Sequence, residues 1–155
     1  MATVPEIIGA LGRPARFLQS PVDDDAVTAL FNAARIAPSA DNVQMWRFVV
    51  ARDPARREAI TGALPGRSRA LFAQAPLLVV ALGEPWFVKG SRREQPFFMI
   101  DVPIAMTHIV LQAGELGLSC AVEFEIDEEP VKKAVGAGEG FRAVAVMALG
   151  TQEAA

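Results

Sequence analysis

The residues best suited to chemistry sit together in one short segment, Ala37-Pro38-Ser39-Ala40-Asp41-Asn42-Val43-Gln44-Met45-Trp46-Arg47-Phe48. Small side chains there leave backbone groups uncovered, so a flat ligand can approach them, and Asn42 and Gln44 offer both donors and acceptors. The same amides could instead merely satisfy a turn between a helix and a strand, and the segment taken alone leaves both roles open. Other familiar sites are missing from the sequence. There is no GxxxxGK[ST] loop and no GxSxG elbow. Gly136 and Gly138 follow a helix and precede a strand, the wrong context for dinucleotide binding, so they read as loop punctuation. With one histidine and no HExxH, zinc is not expected; His108 reads as a hydrogen-bonded buried residue in preference to a general base. The single cysteine, Cys120, excludes an internal disulfide and a thiolate cluster, fits a reducing compartment, and reads as a small packing residue.

The elements that must position this segment can be read from periodicity and punctuation. Pro5 to Leu11 suggests a short first helix. A second should begin at Asp23, Asp24 and Asp25, where carboxylates suit the positive helix end. Its apolar residues Ala26, Val27, Leu30, Phe31, Ala34 and Ile36 recur at near-helical spacing, and Pro38 closes it. Trp46 to Ala51 reads as a strand, and Asp53-Pro54 opens a third helix to about Leu64. Ser68 to Gln74 suggests a short fourth helix. Leu77 to Leu82 is continuously apolar, as in a strand buried on both faces. Residues 83–97, with Trp86 and Phe87, form the least regular stretch, and such loops are functional or mobile.

Asp101 to Gly117 predicts a central helix, with Asp101 as its cap and Pro103 in its first turn. Its polar residues Asp101, His108, Gln112 and Glu115 fall on one stripe, at offsets of 7, 11 and 14. The rest is nearly all apolar, so this helix needs cover on several sides. Ser119 to Ile126 is strand-like, Asp127 caps a helix through Val135, and Arg142 to Leu149 forms the last strand. That makes four strands and five or six helices.

One domain, residues 1–155, is expected at this length, and 52% hydrophobic residues supply a core. A net charge of −3 argues against nucleic acid as a partner. The arginines at 52, 56, 57, 67 and 69 read as a solvated helix face. Met1 to Gly12 lacks the pattern of a secretory signal, and the longest apolar runs, such as Ala75 to Leu82, are far short of a membrane span. A cytoplasmic protein, with no membrane partner, is expected.

The segment APSADNVQMWRF resembles the signature of nitroreductase-like flavoproteins, with Met45 where proline is usual. IDVPIAMTHIVLQAGELGL at 100–118 looks like that family's long central helix, and SCAVEFEIDEEPVKKAVG like the strand, acidic cap and helix that follow it. PARFLQSPV resembles the basic N-terminal motif, and VAVMALG the last sheet strand. The resemblance covers about residues 7–150. It implies an α+β, three-layer α/β/α fold with a mainly antiparallel sheet, and a homodimer with two FMN sites at the interface. It further implies NAD(P)H as electron donor and a small acceptor such as a nitroaromatic or quinone. Carried over residue by residue, Arg13 and Arg16 would meet the phosphate, ribityl or pyrimidine side of FMN. Pro38, Ser39, Ala40 and Asn42 would line the ring, with Asn42 bonding its polar edge, while Gln44 supports the loop. Val122, Phe124 and Glu125 would pass the N5 edge from the other side. No side chain is expected to be catalytic in its own right, because the chemistry is centred on the flavin.

The chain departs from the family pattern in four places. Gly12-Arg13-Pro14-Ala15-Arg16 has one cation and one hydroxyl fewer than usual. Thr151-Gln152-Glu153-Ala154-Ala155 lacks the customary basic residue, Glu123, Phe124 and Glu125 replace apolar or small residues, and a longer substrate-covering insert is missing. These departures keep two alternatives in view: a protein that binds or stores flavin without turnover, and a non-catalytic dimer subunit of the same fold.

Overall fold

In a computed structural model, the structure describes residues 3–10, 14, 16–85 and 96–153. Four strands form one sheet: β1 (Trp46–Ala51), β2 (Leu77–Gly83), β3 (Ser119–Glu123) and β4 (Arg142–Gly150). Their spatial order is β1-β2-β4-β3, and every neighbouring pair is antiparallel. Six helices surround them: α1 (Val4–Ala10), α2 (Asp24–Arg35), α3 (Pro54–Gly62), α4 (Gly66–Gln74), α5 (Phe98–Glu115) and α6 (Glu128–Val135).

Side chains alternate across a strand, so the two central strands feed two cores. Leu77, Val79 and Ala81 of β2 join Ala145, Met147 and Leu149 of β4 beneath α2 and α5, which add Leu30, Ala34, Val102, Ala105 and Ile109. Leu78, Val80 and Leu82 face the other way with Val146 and Ala148, against Ile60 of α3, Phe72 of α4 and Val131 of α6. This is the expected α+β three-layer architecture, and β2 is buried along its whole length. At β4's far end, Cβ atoms on Gly150 would come within 2.6 Å of Pro76 Cδ. Glycine there lets the chain run on beside Phe17, which bridges to Gln152. Among the described residues, no helix is long and apolar enough to cross a membrane.

The local structure differs from expectation in four places. Helix α2 ends at Arg35, and Ile36, counted on its apolar stripe, is 78% exposed. Helix α5 starts at Phe98, because the carbonyls of Pro96 and Phe97 already accept the N–H groups of Met99 and Asp101. Asp101 therefore lies inside the first turn and does not cap the helix, and Pro103 sits within it. Strand β3 stops at Glu123, where the Glu123 carboxylate captures the Glu125 N–H at 3.0 Å and draws the chain away from β4. Asp127 precedes α6 without a side-chain cap, its own N–H going to Ala63 O.

Candidate functional site

The link between α2 and β1 is built by hydrogen bonds that begin at the helix end. The last carbonyls of a helix have no partner within it. Here His108 Nδ1 lies 3.0 Å from Ala33 O, and Gln44 Nε2 donates to Arg35 O at 3.0 Å. A carbonyl can only accept, so His108 carries a proton on Nδ1. Gln44 thus supports the loop. Beyond Pro38 the chain makes a single 3-10 turn, Ala40–Asn42, closed by Asn42 N–H to Ser39 O and Val43 N–H to Ala40 O.

Three residues of this loop sit in the left-handed region: Asp41 at φ 48°, Asn42 at φ 54° and Gln44 at φ 54°. Aspartate and asparagine tolerate that region better than most residues, whereas glutamine needs support. Ser39 Oγ supplies part of it by accepting the Gln44 N–H at 3.0 Å, and Glu84 N–H donates to Met45 O where the loop enters β1. The Ala40 N–H donates to Asp101 Oδ2 at 3.0 Å, reaching from the loop into α5. The Asn42 side chain stays exposed and makes no hydrogen bond among the described residues. Small groups, a set backbone and an open amide leave this edge uncovered.

The structure splits the second group of expected site residues. Val122 packs toward α5, and Phe124, two residues on, is 56% exposed. Glu125 is drawn instead to α4, where Arg67 Nη1 donates to its carboxylate at 2.8 Å. Arg67 also donates to Glu123 at 3.1 Å, and Ser68 Oγ donates to the same buried carboxylate. The hydrogen bond to Glu125 and the charge of Glu123 push the Arg67 guanidinium above its ordinary range. Arg67 is largely exposed, as a solvated face requires, and it also neutralises carboxylates that would otherwise crowd the Phe124 segment.

Within one chain the two groups stay apart. Pro38, Ser39, Ala40 and Asn42 lead into β1, while Val122, Phe124 and Glu125 belong to or follow β3, at the opposite edge. Three inter-strand steps, about 14 Å, separate them. Arg16 is exposed and pairs with Glu153 at 3.3 Å. Arg13 lies outside the described residues, as do Gly12, Ala15, Trp86, Phe87 and most of the 83–97 stretch. Cys120 is half-buried overall, but its sulfur lies against the core and burial pushes the thiol up to about 12, so it is no nucleophile. No cluster suited to a metal ion occurs among the described residues.

Against this geometry, residues 15–66, which include the whole loop, match the model of the Nitroreductase family. The fold matches a nitroreductase family protein from Clostridium novyi NT with a TM-score of 0.90 at 26% identity, over 98% of this chain and 86% of that one. The chain is similar to nitroreductase family proteins in its fold and in the segment 15–66. An FMN-dependent nitroreductase from Clostridium difficile R20291 has the same fold, with a TM-score of 0.82 at 17% identity over 96% of this chain and 87% of its own. A protein named NADH dehydrogenase from Thermus thermophilus is 38% identical over 65 residues, which make up 42% of this chain. That match spans only 31% of the Thermus protein, less than a third.

FMN is named for the Clostridium difficile R20291 protein, and this chain exposes groups of the chemical kinds that suit a flavin ring. Val43 beside the first wall and Met99, Ile100 and Phe124 are large apolar side chains left exposed, while Asn42 presents an open amide. Exposed apolar groups and an open amide are the kinds of group that suit a flat heterocycle, although within one chain Phe124 lies at the opposite sheet edge from Asn42. Of the two arginines expected to meet the phosphate, the described one, Arg16, forms an exposed ion pair with Glu153, the kind that exchanges readily for another anion.

Proposed function

We propose that two copies of this chain form an FMN-dependent oxidoreductase that takes hydride from NAD(P)H and reduces a small acceptor such as a nitroaromatic or quinone. The observation that carries this reading is the preset loop around Ser39 and Asn42, lying at the opposite sheet edge from Phe124. A second copy would bring the Phe124 wall of one chain to the loop of the other. The names of the similar proteins, an FMN-dependent nitroreductase and an NADH dehydrogenase, support the same class of reaction. A cytoplasmic location belongs to this reading.

FMN, when bound, accepts a hydride and passes electrons to the acceptor. The chain's own contribution is binding and orientation. Asn42 would hold the polar edge of the ring, Pro38, Ser39 and Ala40 its flank, and Arg16 with Arg13 the phosphate. Val122 and Phe124 would close the far side and exclude water. The Glu125 carboxylate, occupied by Arg67, adds little negative charge near the ring. A titration of the purified protein with FMN, followed by NAD(P)H and a quinone, tests this. A yellow complex that oxidises NAD(P)H is expected. A yellow complex without turnover would mark a flavin-holding protein, and a protein that never takes up FMN would reject both.

A further inference from the structure

The polar stripe on α5 has a use that the proposed chemistry does not itself require. Its first two members, Asp101 and His108, each reach out of the central helix to backbone, Asp101 to Ala40 N–H in the α2–β1 link and His108 to Ala33 O in the last turn of α2, both at 3.0 Å. His108 satisfies a helix end. Asp101 does something different. It is 3% exposed, and a carboxylate so deeply buried must be compensated. Lying in the first turn of α5, it also profits from the positive helix end.

We propose that Asp101 is a positioning residue that fixes the 39–44 loop in its left-handed conformation, so that the loop is preformed for the flavin before any flavin arrives. This rests on the proposed flavin reading for its purpose, but not for its geometry. The hydrogen bonds from the Asn42, Val43 and Gln44 N–H groups to Ser39 and Ala40 lie within the loop and could move with it as a unit, and the one from Gln44 Nε2 to Arg35 O reaches only the exposed end of α2. The bond from Ala40 ties that unit to a helix buried in the core, 61 residues away in sequence. Residues at positive φ are held only where their surroundings over-determine them, so releasing this tether lets Asp41, Asn42 and Gln44 relax. Flavin would then meet a loop that must be ordered on binding, at a cost in affinity.

The test is amide hydrogen exchange on the flavin-free protein, read residue by residue by NMR, together with FMN affinity from fluorescence quenching. In D101A, the Ala40 and Asn42 amides should exchange at least about tenfold faster, while core amides such as Val79 keep their protection. D101N keeps an acceptor oxygen and should restore slow exchange at Ala40. FMN binding should weaken about tenfold in D101A and stay within about threefold of the wild type in D101N, as expected for one buried hydrogen bond and the order it maintains. If D101A does not fold, D101S, too short to reach Ala40, takes its place. Unchanged exchange at Ala40 in the variant overturns the proposal, as does unchanged FMN affinity in a wild type that binds FMN. A wild type that binds no FMN rejects the flavin reading instead, and the exchange at Ala40 then decides the positioning role by itself.

Discussion

The loop from Pro38 to Gln44 and the segment from Val122 to Ile126 are the two walls of one proposed site, yet different forces hold them. The loop is held by hydrogen bonds between uncharged groups and by one buried carboxylate, Asp101. The other segment is held by charge, with Arg67 of α4 bridging Glu123 and Glu125. Screening by salt weakens exposed charge pairs and acts far less on hydrogen bonds in which one or both groups are uncharged. One wall should therefore be stiff under all conditions, while the other responds to its ionic surroundings. The contrast suits a site in which a rigid edge aligns the cofactor and a softer edge admits changing partners.

The comparison can be broken most forcefully at Asp101. D101A leaves the half-buried Ala40 N–H without its acceptor and should cost about 1–3 kcal/mol of stability by chemical denaturation, with little dependence on salt. Next in size is Asn42. N42G keeps the positive φ while removing the amide, so FMN affinity should fall about tenfold with the denaturation midpoint nearly unchanged. At the other wall, R67A should lower the denaturation midpoint by less than D101A does, because Arg67 is largely exposed, and the difference from wild type should shrink in about 1 M salt. Equal salt dependence in R67A and D101A would remove the distinction between the walls.

The smallest effect is one of pH. Glu128, three residues past Glu125, has its carboxyl held below the ordinary range of 4.5, chiefly by the hydrogen bond from Arg142. A carboxylate depressed in the folded state adds stability above its unfolded pKa, and that stability is lost as pH falls through the lower folded value. Wild type should therefore lose stability more steeply than E128Q below about pH 4.5, with the loosening first seen near residues 124–128 and not in the loop. Parallel pH profiles for the two proteins would count against it.

Much of this architecture was legible in the residues. The strands announced themselves: β1 by WRFVVA, β2 by its unbroken apolar run, and β4 likewise. The loop's place between α2 and β1 was legible too, but small residues and amides also suit an ordinary turn, so its role was not legible from those residues alone. Gln44 was read as a support, and it is one. What periodicity could not tell was where single polar side chains would point. Asp101 looks like a helix cap in sequence, but capping depends on where the helix begins, and Pro96-Phe97 start it earlier. Its stripe with His108 was visible; the object it faces was not. Arg67 looked like a solvated cation, because its partners Glu123 and Glu125 lie more than 50 residues away. Such long-range pairing leaves no local trace.

The central claim is that the flavin is shared between two chains of 16.6 kDa. Sedimentation velocity with added FMN, recorded at the flavin's visible absorption band, tests it directly. The account predicts that the yellow boundary travels with a species of twice the chain mass. Flavin absorbance that remains unsedimented, or that moves with a single chain, would contradict it.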